Sequence, residues 1–183
     1  MHERKPNRLQ GYDYSTDNLY FVTSCVHNRI CCFGETSEQQ MILSEYGKIA
    51  EKQWYWLGEQ YPYVVLHEFI VMPNHIHGII EIDRTRIPIP VGTGRDLSLP
   101  VSESESVTIK IKSLSELMGA YKTTVSKQIH LIECTDRSRP VYTFKWQRSF
   151  HDRIIRDEGA FQRISNYIVN NPKNWKQDKF YDK

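Results

Sequence analysis

Apolar side chains are distributed along the chain in several recognisable patterns. Leu19–Val26 is dominated by aromatic and β-branched residues, which predicts a strand. From Ser37 to Leu57 the apolar residues Met41, Ile42, Ile49, Trp54 and Leu57 recur at roughly helical spacing, and Ser37 with Gln40 three positions on resembles a capping box. Tyr63–Met72 and Ile76–Ile82 are β-rich runs separated by Pro73-Asn74, which predicts antiparallel neighbours joined by a tight connection. Ser113 to Leu131 carries an apolar stripe of Leu114, Leu117, Met118, Tyr121 and Val125, an amphipathic helix. A short strand is expected at Phe150–Ile155. A last helix is expected over Asp157–Asn170, where Phe161, Ile164, Tyr167 and Ile168 share a face and Pro172 ends the pattern. Residues 84–107, rich in Pro, Gly, Ser and Glu without any period, read as a mobile internal loop. The order strand, helix, strand, strand, helix, strand, helix predicts an α+β fold: a ferredoxin-like antiparallel sheet with helices packed on one face.

Composition narrows the picture. With 183 residues, 25% charged and 39% from the hydrophobic set, the chain is expected to form one domain spanning 1–183, and neither a disordered chain nor a collagen-like fibre. Apolar runs such as Phe69–Met72 are far too short for a membrane span, so no membrane partner is expected. Met1-His2-Glu3-Arg4-Lys5 leads into no apolar segment. Cys25, Cys31, Cys32 and Cys134 show no CxxC spacing, and reduced thiols in a cytoplasmic protein are the expectation. The net charge of +2 hides an asymmetry. Residues 107–156 hold ten Lys or Arg against four acids, whereas residues 37–83 hold two against seven. A basic half facing nucleic acid fits that distribution, as do scattered solvated charges.

The candidate chemistry starts at His75-Ile76-His77. On a strand, positions i and i+2 project to one face, so the two imidazoles stand together while Ile76 points the other way. The pair is either half of a divalent-metal site or two hydrogen-bonded histidines. In the last helix, Tyr167 and Asn171 lie one turn apart on one face. The Asn171 carboxamide is an acceptable ligand for Mg²⁺ or Mn²⁺, and Tyr167 beside it is a candidate nucleophile. The alternative is that Tyr167 belongs to the apolar stripe and Asn171 to the helix end.

Met72-Pro73-Asn74-His75-Ile76-His77-Gly78 resembles the HUH motif of single-tyrosine, IS200-like transposases. Gly11-Tyr12-Asp13-Tyr14-Ser15 with Tyr20-Phe21-Val22-Thr23 resembles the opening of the REP-associated tyrosine transposase group. Trp146–Arg156 and Tyr167-Ile168-Val169-Asn170-Asn171-Pro172 resemble its closing blocks. The resemblance implies a divalent metal, Mg²⁺ or Mn²⁺, held by His75, His77 and Asn171, although related enzymes often carry Gln at the last position. It implies that Tyr167 attacks single-stranded DNA to leave a 5′-phosphotyrosine and a free 3′-hydroxyl. The DNA partner would be a REP-like palindromic hairpin and the enzyme a monomer or a homodimer. Arg4, Lys5, Arg8, Lys122, Arg148, Arg153 and Arg156 are candidates for contacting that DNA, and Trp146 for stacking on a base. Competing readings are a hairpin-binding relative that does not cut, another HUH nuclease of the relaxase or replication-initiator kind, and an unrelated hydrolase using water. His67 and His151 are expected to support the site or the fold rather than act in it.

Overall fold

In the computed structural model, which describes residues 11–87, 109–135 and 143–181, the chain runs β1 (Asn18–Cys25), β2 (Gly34–Ser37), β3 (Gln40–Leu43), α1 (Glu45–Gln60), β4 (Val64–Met72), β5 (His75–Ile82), α2 (Leu114–Thr135), β6 (His151–Ile155) and α3 (Glu158–Asn170). Four strands form an antiparallel sheet in the order β4-β5-β1-β6, and β2 and β3 form a separate hairpin. This is the α+β architecture the sequence predicts. Pro73-Asn74 makes the β4–β5 connection, and β5 begins one residue earlier than expected, at His75.

Strand alternation divides the interior in two. Tyr20, Val22, Ile76 and Ile80 face α1 and α2 and pack with Trp54, Tyr121 and Val125 into the main core. Ile79 and Ile155 point the other way and pack against Ala160, Ile164 and Ile168 of α3. Helices α1 and α2 share one face, whereas the sequence pattern predicts all three helices there. Helix α3 covers the opposite face, an arrangement its apolar stripe permits and does not specify. Trp54 lies flat against the sheet, stacked on Phe69 with ring centroids 4.4 Å apart. Gly78 makes this possible, because a Cβ there would sit 2.3 Å from the indole.

A register shift between Leu66 and Phe69 bulges β4. It turns two successive polar side chains toward α3: His67 Nε2 lies 2.8 Å from a Glu81 carboxylate oxygen, and Glu68 accepts from Ser165 Oγ at 2.9 Å. His67 is therefore committed to Glu81.

The helix expected from Ser37 is corrected. Ser37 ends β2, and the chain turns at Glu38 and Gln39, whose φ values of 49° and 63° give a two-residue hairpin loop without glycine. Gly34 supplies the tight approach beneath it, since a Cβ there would lie 2.0 Å from the Ile42 carbonyl oxygen. Met41 and Ile42 mimic helical spacing but belong to β3. The true N-cap of α1 is Ser44, whose Oγ accepts from Gly47 N–H at 3.2 Å. A reciprocal capping box does exist, at the start of α2. Ser113 N–H donates to Glu116 at 2.7 Å and Glu116 N–H donates to Ser113 Oγ at 3.4 Å. That helix runs to Thr135, past the Leu131 expected.

Of the 84–107 loop, Arg84–Arg86 form a 3₁₀ turn and residues 88–107 lie outside the described residues, as do Arg4, Lys5, Arg8, Arg137 and Arg139. No described helix is long and apolar enough to cross a membrane.

Candidate functional site

The first pair of side chains is fixed by β5. His75 and His77 both project toward the α3 face and are fully buried, with the Nε2 atoms of their rings 3.0 Å apart. Across the sheet Thr23 pairs with His77, and its hydroxyl lies 2.7 Å from His77 Nδ1. The second pair comes from the C-terminal turn of α3. Tyr167 brings its hydroxyl to 3.1 Å from His77 Nε2, and Asn171, one turn on, is buried beside it. Pro172 ends α3 by opening a 3₁₀ turn, Pro172–Gln177, which folds the chain back over the same point. Asp178 then accepts from the Tyr167 hydroxyl at 2.9 Å and from Asn171 Nδ2 at 3.0 Å. Phe180 lays its ring 4.7 Å from that of His75.

Hydrogen-bond chemistry settles the tautomer of His75. The Phe180 carbonyl can only accept, so Asn74 must present Nδ2 to it, as observed at 2.9 Å. Asn74 Oδ1 is then left as the acceptor 2.8 Å from His75 Nδ1, which must carry the proton. The His75 Nε2 lone pair is thereby free and faces His77 Nε2. Thr23, whose hydroxyl rotates freely, can hold His77 in the same tautomer. Burial lowers the pKa of both rings, with the mutual repulsion of the imidazoles adding at His77. Two neutral imidazoles whose Nε2 atoms converge, next to a carboxamide oxygen of Asn171 that has no hydrogen-bond partner among the described residues, form a donor set suited to a divalent cation. The nearest donor atoms of His75, His77 and Asp178 all lie within 4.8 Å of one another.

Burial, and after it the Asp178 carboxylate, raise the pKa of Tyr167, so its hydroxyl is protonated at neutral pH. The residue is nonetheless 40% exposed, which leaves it accessible to a substrate.

The remaining candidates are spread more widely. Lys122 and Arg148 line a groove of about 770 Å³ between α2 and residues 144–148, together with Lys127, His130, Lys145 and Trp146. The Lys122 ammonium donates to the Gln147 and Arg148 carbonyls, and its burial pulls its pKa down to about 8. Trp146 packs partly into the main core against Phe33 and Phe144. Arg153 stands exposed on β6 opposite Phe21, whose ring contacts both His77 and Tyr167. Arg156 is exposed at the far end of that strand, beside Asp157 and Ala160. His151 is exposed, with its ring 6.4 Å from Phe180. Cys31 is exposed and Cys32 half-buried.

Sequence reasoning missed Asp178, Thr23 and the orienting role of Asn74. Only Asn74 carried a signal, as the residue that adjoins His75 in the turn.

No protein-family model matches the sequence. An uncharacterized protein of Haemophilus influenzae is 31% identical over 181 residues, covering 99% of this chain and 94% of its own length. Among solved structures, the REP-associated tyrosine transposase bound to a REP hairpin superposes with a TM-score of 0.54 at 14% identity, over 94% of this chain and 76% of that one.

Proposed function

We propose that this chain, which belongs to one family with the Haemophilus influenzae protein and has the fold of the REP-associated tyrosine transposase, is a metal-dependent single-strand DNA transferase. It cuts and rejoins hairpin-containing DNA through Tyr167. One observation carries this reading: the hydroxyl of the exposed Tyr167 lies 3.1 Å from His77 Nε2, at the edge of the buried donor atoms of His75, His77 and Asn171. His75, His77 and Asn171 would hold the cation, Mg²⁺ or Mn²⁺, and their neutral nitrogen and oxygen donors fit it. Bound there, a divalent cation polarises the scissile phosphate and offsets its developing charge.

The chain's own residues supply positioning. Asn74 and Thr23 orient the two imidazoles. Asp178 holds the Tyr167 hydroxyl, and Phe21 packs edge-on against the phenol with centroids 6.2 Å apart. In the chemical step the Tyr167 oxygen bonds to phosphorus and the bond from phosphorus to the 3′-oxygen breaks. The phenol loses a proton and the departing oxygen gains one, leaving a 5′-phosphotyrosine and a 3′-hydroxyl. Attack by another 3′-hydroxyl reverses these changes and reseals the strand without a nucleotide cofactor. With one tyrosine per site, exchange between two strands requires two successive turns of a monomer or the paired sites of a homodimer.

The groove lined by Lys127, Lys145, Arg148 and Trp146 offers phosphate-binding charge beside an aromatic face, and Arg153 extends that charge toward Tyr167. A REP-like palindromic hairpin is the substrate this reading favours, met in the cytoplasm. The test is incubation with end-labelled single-stranded hairpins and Mn²⁺, followed by denaturing electrophoresis. A protein–DNA adduct is expected with the wild type and none with Tyr167→Phe. An adduct of equal yield from Tyr167→Phe defeats the nucleophile assignment, and hairpin binding without any adduct leaves the non-cutting relative in its place.

A further inference from the structure

Asp178 reaches the site by an unusual route. It is carried by the segment after the Pro172–Gln177 turn, and both of its oxygens are already positioned. One accepts from the Phe180 amide at 2.8 Å; the other accepts from Asn171 Nδ2 and the Tyr167 hydroxyl. We propose that Asp178 is itself a ligand of the divalent cation, so that occupancy of the metal site fastens residues 178–181 over the sheet. The inference rests on the reading of His75 and His77 as metal ligands and adds the carboxylate that reading lacks.

Charge balance is the first argument. Two neutral imidazoles and a neutral carboxamide leave both positive charges of the cation uncompensated in a buried setting, which is costly. One carboxylate halves that charge and supplies the hard oxygen donor that Mg²⁺ and Mn²⁺ favour. Proximity is the second: the Asp178 carboxylate is the one acidic group clustered with His75 and His77 among the described residues. Connectivity is the third. The same segment is tied to the histidines from its other end, because the Phe180 carbonyl accepts from the Asn74 amide whose oxygen orients His75. Asp178 and Phe180 therefore touch the donor set at two points. A cation bound by that set stabilises the docked segment by mass action, and undocking the segment removes a ligand.

The experiment is Mn²⁺ titration of the full chain by calorimetry, with His75→Ala as the reference for a lost ligand. Asp178→Asn keeps the shape and the Phe180 contact but removes the charge. A fall in affinity of about 100-fold is expected, at or beyond the upper end of what loss of a merely orienting contact costs. A fall below about tenfold overturns the proposal. Pulsed electron paramagnetic resonance on wild-type protein labelled with ¹³C at the aspartate carboxylates decides the interval between, independently of how the variant folds. A ¹³C hyperfine coupling to bound Mn²⁺ supports ligation, and its absence overturns it. Hydrogen exchange gives a further readout: Mn²⁺ should slow exchange of the Phe180 amide in the wild type and not in Asp178→Asn, and equal slowing in both counts against the fastening. Wild-type protein that binds no Mn²⁺ at all would sink the underlying metal reading instead, so the two failures are distinguishable.

Discussion

The two faces of the sheet are built from the same strands and serve opposite ends. Toward α1 and α2, β5 sends Ile76 and Ile80 into a continuous core holding Trp54, Tyr121 and Tyr20, all fully buried. Toward α3, the same strand sends His75, His77 and Ile79, and the apolar packing there falls into two smaller clusters. Between those clusters lie Thr23, His75, His77 and Asn171, four buried polar side chains. One face concentrates stability. The other accepts a weaker core so that converging imidazole nitrogens can be held out of water, and the contrast follows from a two-residue period in which adjacent positions carry different chemistry.

The sharpest way to break that contrast is to change one face and look for effects on the other. Tyr167→Phe should abolish the DNA adduct while leaving the melting temperature near that of the wild type, because the ring keeps its contact with Phe21; a large drop in melting temperature would mean that the α3 face is structural after all. Trp54→Ala, on the opposite face, should cost about 3–5 kcal/mol in denaturant unfolding, since it empties the space against Gly78 and Phe69. A cost below about 1 kcal/mol would contradict the placement of the main core. In the groove, Lys127→Gln or Lys145→Gln should each reduce the salt dependence of hairpin binding by about one unit of slope, with stability unaffected. Lys122→Gln should instead lower stability, because its ammonium serves the Gln147 and Arg148 carbonyls. Smallest is Ser44→Ala, expected to cost about 1 kcal/mol through loss of the α1 cap, beside a change within about 0.5 kcal/mol for Ser37→Ala; the reverse order would restore the helix start that the sequence suggests.

What could be read from the chain depended on how local the determining physics is. The β4–β5 hairpin was legible because aromatic and β-branched runs flank Pro73-Asn74, and α3 because its stripe is regular and Pro172 closes it. The start of α1 was not, because Glu38 and Gln39 adopt left-handed conformations that carry no glycine signal and Met41-Ile42 fall in step with Ile49. The face that α3 covers is a tertiary choice with no trace in its own periodicity. His75 and His77 announce themselves by an i, i+2 spacing, and Tyr167 and Asn171 by i, i+4. Asp178 joins them only because an irregular turn brings it back, and no spacing records a meeting of that kind.

The pairing of β1 with β5 bears on how the molecule comes to be folded. Thr23 and His77 are separated by 54 positions, and His77 and Tyr167 by 90. Neither contact can form until long stretches of chain have been closed into loops, whose entropy must be overcome before the contacts repay it. Folding should therefore be slow for a chain of this length, with the local β4–β5 hairpin and α1 ahead of the pairing with β1. The donor set would be among the last things assembled, since it needs β1, β5 and the turn after α3 brought together at once.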